Sequence, residues 1–478
     1  MNRFVAGPDF YNYDMYGGLR SGGGVNFFSS VFVGLIAATF TSSFVYVGAR
    51  YGLLVMVSSK LELSESQTEA MDRLVEVPAA LAFFVGLYAD AVPVGGSRRK
   101  SYMVLDSLMS SSFRYVMMLL MGGVSFGSMI NFCSVHTAVV TLSQRESLER
   151  RGVFQADYLL VRAAGQISAR LLVYLIQNVV EMYETSLMML MLMPISIATI
   201  ILVVEGLDEP EAFRKESLRC KCESYWKLTK QKAVWRVLLL VASFAFFLNF
   251  GFPLATDALR EWTDTTDNAS VLLSSSLNDL VMIATVLMWR WKFRNTLWRR
   301  LFAVAPTVTI TQQVLLTVLI VPDIYRYPAV YIVLAGLGGV ATGIMALALL
   351  VPVTEIIEEG TEGGVVGLAL SFNTIFKIFV STLLTSIQRA SFFPSSDDED
   401  TSSRRWLIGI LQIVACCANG LAFISLMFLP IQKLDAQLVR MYGGYTDSAG
   451  AITAAAFLTS LAYCVAYNIY IFSEAINN

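Results

Sequence analysis

Charged residues are scarce in this chain, and their scarcity limits what the protein can be. Asp, Glu, Lys and Arg make up 15% of the 478 residues, hydrophobic residues make up 55%, and the mean hydropathy is +0.60. A soluble globular protein is closer to ~25% charged. The composition therefore predicts an integral membrane protein embedded in a lipid bilayer, with no nucleic-acid partner.

Histidine and cysteine are too few, or too irregularly spaced, for several kinds of site. The single histidine, His136, cannot build a histidine metal cluster. The six cysteines show no framework spacing, and four of them lie in or beside apolar runs, which favours small core residues. No residues resemble a paired acid/base or a nucleophile–histidine site. We therefore expect no enzymatic activity, no cofactor and no bound metal.

Apolar runs of membrane length recur along the chain. A bilayer core of ~30 Å needs about 20 apolar residues per helix. Twelve runs meet this requirement, and a thirteenth follows at 450–472. The third and fourth runs are separated only by Gly122-Gly123. The twelve predicted spans are 27–49, 72–90, 102–121, 123–143, 156–180, 185–205, 234–256, 270–291, 301–321, 329–352, 364–387 and 406–429.

A charged stretch at 206–233 divides the twelve runs into six and six. This division predicts an all-α polytopic membrane protein of the major-facilitator fold, with two six-helix bundles around a midplane cavity. The thirteenth run is either a further span, a peripheral helix or an oligomer contact. The predicted units are a cytosolic N-terminal segment (1–26), an N-terminal half (27–205), a cytosolic linker (206–233), a C-terminal half (234–430) and a segment holding an amphipathic stretch and the thirteenth run (431–478).

The distribution of Lys and Arg predicts the orientation. Short loops on one side, together with the linker, carry most of the basic residues, which places the N-terminus in the cytosol. The sequon Asn268-Ala269-Ser270 then falls on the outer side and makes Asn268 a candidate glycosylation site. We expect the plasma membrane to be the location.

A short charged stretch, Gly86 to Tyr102, joins the second and third runs. Asp90 follows Gly86 by four residues, and such a carboxylate can accept hydrogen bonds at a neighbouring helix N-terminus. The following cations can clamp the other half of the protein in one conformation and release it in another. The alternative is that they are only positive-inside anchors. The predicted gating residues here are Gly86, Asp90, Pro93, Gly96, Arg98 and Arg99.

This stretch resembles the hallmark of the folate–biopterin transporter family, a branch of the major-facilitator group. The residues that match in register are Pro78, Gly86, Asp90, Pro93, Gly96, Arg98, Arg99 and Tyr102. In the other half, Glu355, Gly360, Glu362 and Asn373 are similar to the family's loop between helices ten and eleven. The resemblance implies secondary transport of a pterin- or folate-like solute by alternating access, often as proton symport. Glu355, Gly360 and Glu362 would complete the inner gate.

The chain departs from the family pattern in the fourth predicted helix. Cys133 and Thr137 stand where the family usually has two aspartates, four residues apart. His136 is adjacent, and because an unperturbed histidine titrates near neutral pH, it is a candidate to replace them in proton handling. The simpler interpretation is a histidine satisfied by a neighbouring backbone or hydroxyl group.

Ionisable residues inside apolar runs are expensive and usually face a cavity or a partner. Asp106 and Arg162 lie at similar depths and are expected to form a structural pair. Asp279 and Lys377 are expected to meet across the cavity as an anionic-substrate or proton site, with a buried structural ion pair as the alternative. Asn373 precedes Lys377 by one turn on the same face.

Two function classes therefore stay open. The first is a transporter of a pterin- or folate-like solute, or of another small organic solute, with protons as the candidate coupling ion. The second is a transport-inactive receptor or scaffold that kept the fold, which the loss of the two aspartates favours. The oligomeric state is left open.

Overall fold

The chain folds almost entirely into helices. The computed structural model describes residues 18–20, 22–54, 65–91, 114–179, 184–206, 217–389 and 401–474. The helices before the linker are α1 (Val33–Gly48), α2 (Glu65–Ala80), α3 (Ala82–Ala91), α4 (Arg114–Ser143), α5 (Val153–Val179) and α6 (Glu184–Gly206). The later ones are α7 (Leu218–Lys230), α8 (Lys232–Leu248), α9 (Pro253–Trp262), α10 (Asn268–Met288), α11 (Trp298–Ile320), α12 (Pro328–Gly336), α13 (Gly339–Ile356), α14 (Glu362–Gln388), α15 (Ser402–Gly420), α16 (Ala422–Ser425), α17 (Lys433–Tyr442) and α18 (Asp447–Glu474).

The predicted membrane class is confirmed by the length and composition of these helices. In the described part of the chain, nine helical stretches are long and apolar enough to cross a bilayer, or ten if the bent pair α8–α9 forms one span. The pair bends by 44° because α8 ends at Leu248 and Pro253 starts a new helix. The protein is thus an integral, multi-pass membrane protein.

One predicted helix boundary is wrong. The sequence suggested a joint at Gly122-Gly123, but α4 continues through both glycines from Arg114 to Ser143. Glycine costs only about 1 kcal/mol in a helix interior, which neighbouring apolar residues can offset. Most of the third predicted run, 102–121, lies outside the described residues.

The parts of the chain on either side of the linker meet at several helix crossings, among which α2 and α3 pack on α14, and α5 packs on α10. At the first crossing the backbones are very close. A Cβ on Gly367 would lie 2.6 Å from the carbonyl oxygen of Ala82, and the N–H of Phe83 donates to Ser371 Oγ at 2.9 Å. Small residues also bring α13 onto α10, where a Cβ on Gly339 would lie 2.1 Å from the carbonyl oxygen of Asn278.

The thirteenth apolar run forms α18, which packs lengthwise against α2 and α14. The rings of Phe372 and Phe457 stack 5.7 Å apart, and the Ser386 and Tyr463 hydroxyl groups lie 2.8 Å apart. These contacts follow α14 along its axis, and α18 itself satisfies the length and hydropathy of a span. The helix therefore lies beside the other spans and not across their ends.

Several connections gather at one end of the helices, which we call the linker end. They are the loop 144–152, the loop 357–361, and the helices α7 and α17, which touch one another through direct hydrogen bonds. The opposite end carries Arg260, Glu261 and Arg404; Arg404 pairs with Glu261 at 2.8 Å, and Arg260 donates to the Tyr331 hydroxyl.

Candidate functional site

A cavity of about 360 Å³ lies between the helices on the two sides of the linker. Helices α1 to α5 line one wall, and α10, α13 and α14 line the other. Its volume is in the usual range for a small-molecule site. Its ionisable lining residues are Arg50, Glu76, Arg162, Arg170, Asp279 and Lys377.

Asp279 forms its ion pair across the cavity with Arg170 of α5. The expectation that Asp279 and Lys377 meet each other is therefore wrong. Because α5 packs closely on α10, Arg170 lies next to Asp279. Both side chains are largely buried. Asp279 therefore forms a buried ion pair, but its partner is Arg170 from the other side of the linker and not Lys377.

Lys377 belongs to a second charged group at the edge of the cavity. Its Nζ lies 3.6 Å from Glu76 Oε1, and Glu76 also binds Arg50. Arg50 reaches Asp72 as well, at 2.6 Å. Beyond this group lies a second cavity of about 270 Å³, which Arg50, Glu76 and Lys377 also line. The four residues, which we call the ion cluster, thus stand between the two cavities.

Arg162 lines the cavity without a carboxylate within salt-bridge distance among the described residues. Its guanidinium lies over the ring of Phe132, 4.2 Å from the centroid. The expected partner, Asp106, lies outside the described residues, so that pairing stays a prediction. Asn373 lines the same cavity from α14, one turn before Lys377.

His136 lies behind the cavity wall. It is buried, its Nδ1 is 3.3 Å from the Tyr158 hydroxyl, and its ring packs edge-on against Phe132. The Tyr158 hydroxyl is the kind of partner that the simpler expectation names, but Nε2 is buried without a hydrogen-bond partner in the described part of the chain. Cys133 and Thr137 are also buried: the Cys133 thiol points to the Ala82 carbonyl, and Thr137 donates to the Cys133 carbonyl at 2.7 Å.

At the linker end, buried hydrogen bonds join the two sides of the linker, and together we call them the linker-end seal. Arg151 Nη1 pairs with Glu355 Oε2 at 2.8 Å, with side-chain exposures of 2% and 1%. Gln144 donates to the carbonyl oxygens of Thr354 at 2.8 Å and Ile357 at 3.2 Å. Each contact joins the loop 144–152 to α13 or the residue that follows it.

The loop after α13 takes part in the same seal. Gly360 has φ +86°, a conformation that favours glycine, and its carbonyl accepts from Lys221 at 2.8 Å. Glu362 pairs with Arg20 of the N-terminal segment at 2.5 Å. The family-like residues Glu355, Gly360 and Glu362 are therefore brought together at one end.

Helix α17 covers the seal from outside the helix bundle. Lys433 Nζ donates to the Arg151 carbonyl at 2.9 Å, and Gln437 Nε2 donates to Glu355 Oε2 at 2.5 Å. Arg440 donates to the Ile357 carbonyl at 3.1 Å. Burial lowers the pKa of Lys433 to about 8, although Glu355 opposes that shift.

The first half of the predicted gate can be placed only in part. Gly86 and Asp90 belong to helix α3, whereas Pro93, Gly96, Arg98 and Arg99 lie outside the described residues. Asn268 is exposed at the start of α10, at the end opposite the linker, where glycosylation stays a prediction.

Three cavity residues, Arg50, Gln166 and Arg170, were not among the predicted site residues. A signal existed for two of them. Arg162, Gln166 and Arg170 are spaced at i, i+4 and i+8, which places them on one helix face. A polar stripe on an otherwise apolar span predicts a cavity-facing surface.

The helices and the central cavity define a membrane protein of the major-facilitator fold. A solved structure with this fold is similar over most of its length: the proton:xylose symporter XylE, bound to 6-bromo-6-deoxy-D-glucose. The likeness has a TM-score of 0.54 at 11% identity and covers 82% of this chain and 94% of that chain.

Sequence comparison then gives the family. The chain belongs to the BT1 family, whose family model matches residues 48–437. It is also 26% identical over 214 residues to a protein named folate-biopterin transporter from Synechocystis sp.. That alignment covers 42% of this chain and 41% of the relative, so the chain spans about two fifths of the length of the relative it matches.

Proposed function

We propose that this protein is a secondary transporter that moves a pterin- or folate-like organic solute across a membrane by alternating access. The observation that carries the proposal is the cavity between the two sides of the linker, lined by ionisable groups from both. Membership of the BT1 family and the fold support transport, and the name of the Synechocystis relative supports the solute class.

In this proposal the predicted halves, 27–205 and 234–430, rock about the central site. The linker-end seal is the closed inner gate, with Glu355 and Glu362 bound to cations from the other side. Gly86, Asp90, Pro93, Gly96, Arg98 and Arg99 are its proposed counterpart. The N-terminus and the linker are proposed to face the cytosol of a cell bounded by the plasma membrane.

Asp279 is the proposed proton-coupling group. It faces the cavity and depends on one partner, Arg170, which a protonated carboxyl would release. Proton coupling thus requires exchange of this ion pair during the cycle. Lys377, Asn373 and Arg162 are proposed to contact the solute from the two walls.

The test is uptake into proteoliposomes that contain the purified full-length chain. Wild type should accumulate a radiolabelled pterin or folate, and an inward proton gradient should increase the accumulation. Asp279→Asn should lose gradient-driven accumulation but keep equilibrium exchange, because exchange needs no net proton movement. Asp267→Asn is the matched control, since Asp267 is an exposed cap on the same helix.

The outcomes separate the functional alternatives. Absence of uptake for any pterin, folate or other organic solute by folded protein would favour the receptor or scaffold. Gradient-driven uptake by Asp279→Asn at the wild-type level would remove Asp279 from proton coupling.

A further inference from the structure

The charges that face the central cavity do not balance. Arg50, Arg170 and Lys377 each pair with a carboxylate, but Arg162 has none among the described residues. The lining residues carry four cations and two carboxylates, and Asp72 behind Arg50 adds a third carboxylate. The described site thus carries an excess of one positive charge, located at Arg162.

The setting of Arg162 prepares it to bind an anion. Its guanidinium carbon lies over the Phe132 ring, 4.2 Å from the ring centroid, which is a cation–π contact. One side of the guanidinium is directed at the Tyr158 hydroxyl, and the fork formed by its N–H groups matches the two oxygens of a carboxylate. Gln166 lies one turn further along α5 and lines the same cavity, so it adds an amide donor on that face.

A cation at this depth is costly unless an anion compensates it. We propose that Arg162 and Gln166 anchor a carboxylate group of the solute, and that Arg162 makes the site selective for organic anions over uncharged analogues. This inference rests on the proposed transport function and deepens it. Arg162 selects solutes that carry a negative charge. The polar groups of the opposite wall, Asn278 and Asn373, contact the rest of the solute.

The competing explanation is a structural pair between Arg162 and Asp106. In that arrangement the excess charge would vanish, and loss of either residue would damage the protein equally. A carboxylate anchor makes a different prediction, because loss of Arg162 should affect only solutes that carry the carboxylate.

Two probes that differ at one group provide the test: pterin-6-carboxylate and 6-hydroxymethylpterin, each measured for uptake into proteoliposomes. Arg162→Gln should lower kcat/KM for the carboxylate about 10- to 100-fold, the usual effect of losing a hydrogen bond to a charged group. Uptake of the hydroxymethyl compound should change less than about threefold, which also shows that the variant is folded. Arg162→Lys should recover part of the carboxylate uptake, since a charge remains without the fork.

The result that overturns the inference is distinct from failure of the proposed function. If wild type transports neither probe and no other pterin or folate, the proposed function fails. If wild type transports the carboxylate and Arg162→Gln does so equally well, or loses both probes equally, the anchor is wrong. The anchor is also wrong if Asp106→Asn reproduces the selectivity change.

Discussion

The linker-end seal and the ion cluster hold the two sides of the linker together by different chemistry. The linker-end seal combines one buried ion pair, Arg151–Glu355, with amide and ammonium donors that bind backbone carbonyls. The ion cluster at the other edge is made of charged side chains that border two cavities, and its Lys377 is 44% exposed. The side chains of the Arg151–Glu355 pair are almost fully buried, whereas the ion cluster is partly exposed.

This difference determines the free energy needed to separate each group of contacts. Separating a buried ion pair leaves both charges without water or partner until the whole interface has opened. The members of the ion cluster can change partners one at a time, because Glu76 already contacts both Arg50 and Lys377. We therefore expect the linker end to open as a unit and the ion cluster to open in small steps.

The largest expected effect comes from Glu355→Ala. Removing the carboxylate leaves Arg151 buried without its ion-pair partner, which should cost about 3–5 kcal/mol of the closed linker end. Hydrogen exchange measured by mass spectrometry should become faster across residues 354–361. Glu358→Ala is the control, because Glu358 is exposed and should leave exchange unchanged. Equal protection in Glu355→Ala and wild type would contradict the assignment of the seal.

A smaller effect is expected from Glu76→Gln in the ion cluster. Losing charged hydrogen bonds to Arg50 should cost about 1–3 kcal/mol, with faster exchange in α2 and no change at 354–361. Lys377→Met should cost less than about 1 kcal/mol, because the Lys377 side chain is 44% exposed and water screens its charge, although Glu76 itself is buried. If Glu76→Gln exposed the linker end as much as Glu355→Ala, the contrast between the two closures would be lost.

The last expected effect is a pH dependence of stability centred on Lys433. Burial lowers its pKa to about 8 from 10.5; Arg151 and Arg294 add to the shift, and Glu355 and Glu146 oppose it. Between these values the unfolded chain binds more protons than the folded one, so stability rises with pH by up to about 1.4 kcal/mol per unit. Below pH 8 Lys433 is protonated in both the folded and the unfolded chain, so stability no longer depends on pH through this residue.

Thermal unfolding in detergent, compared with Lys433→Met, measures this contribution. The melting temperature of wild type minus that of the variant should increase from pH 8 to pH 10. A constant difference across that range would show that Lys433 does not titrate with folding.

Much of the fold follows from the sequence, because the length of an apolar run is a direct consequence of bilayer thickness. The runs at 270–291, 301–321 and 364–387 correspond closely to α10, α11 and α14. The prediction of a helix boundary at Gly122-Gly123 was wrong, because local helix propensity is a weak signal that neighbouring residues override.

The site was harder to predict, because pairing depends on which helices touch. Arg162, Asp279 and Lys377 were identified from their cost in a bilayer, and all three line the cavity. Their partners, Phe132, Arg170 and Glu76, come from other helices, and no spacing along the chain records those crossings. Likewise, the amphipathic pattern of α17 indicates a buried face but not that Glu355 lies beneath it.

Because Gly367 lies so close to the Ala82 backbone, we expect α14 to pivot about that point if it tilts. Lys377 lies ten residues beyond that point and Glu362 five residues before it, which gives arms of about 15 Å and 7.5 Å at 1.5 Å rise per residue. A tilt of about 10° would move Lys377 by about 2.6 Å and Glu362 by about half as much. The unequal arms mean that the same small tilt displaces Lys377 from Glu76 about twice as far as it displaces Glu362 from Arg20.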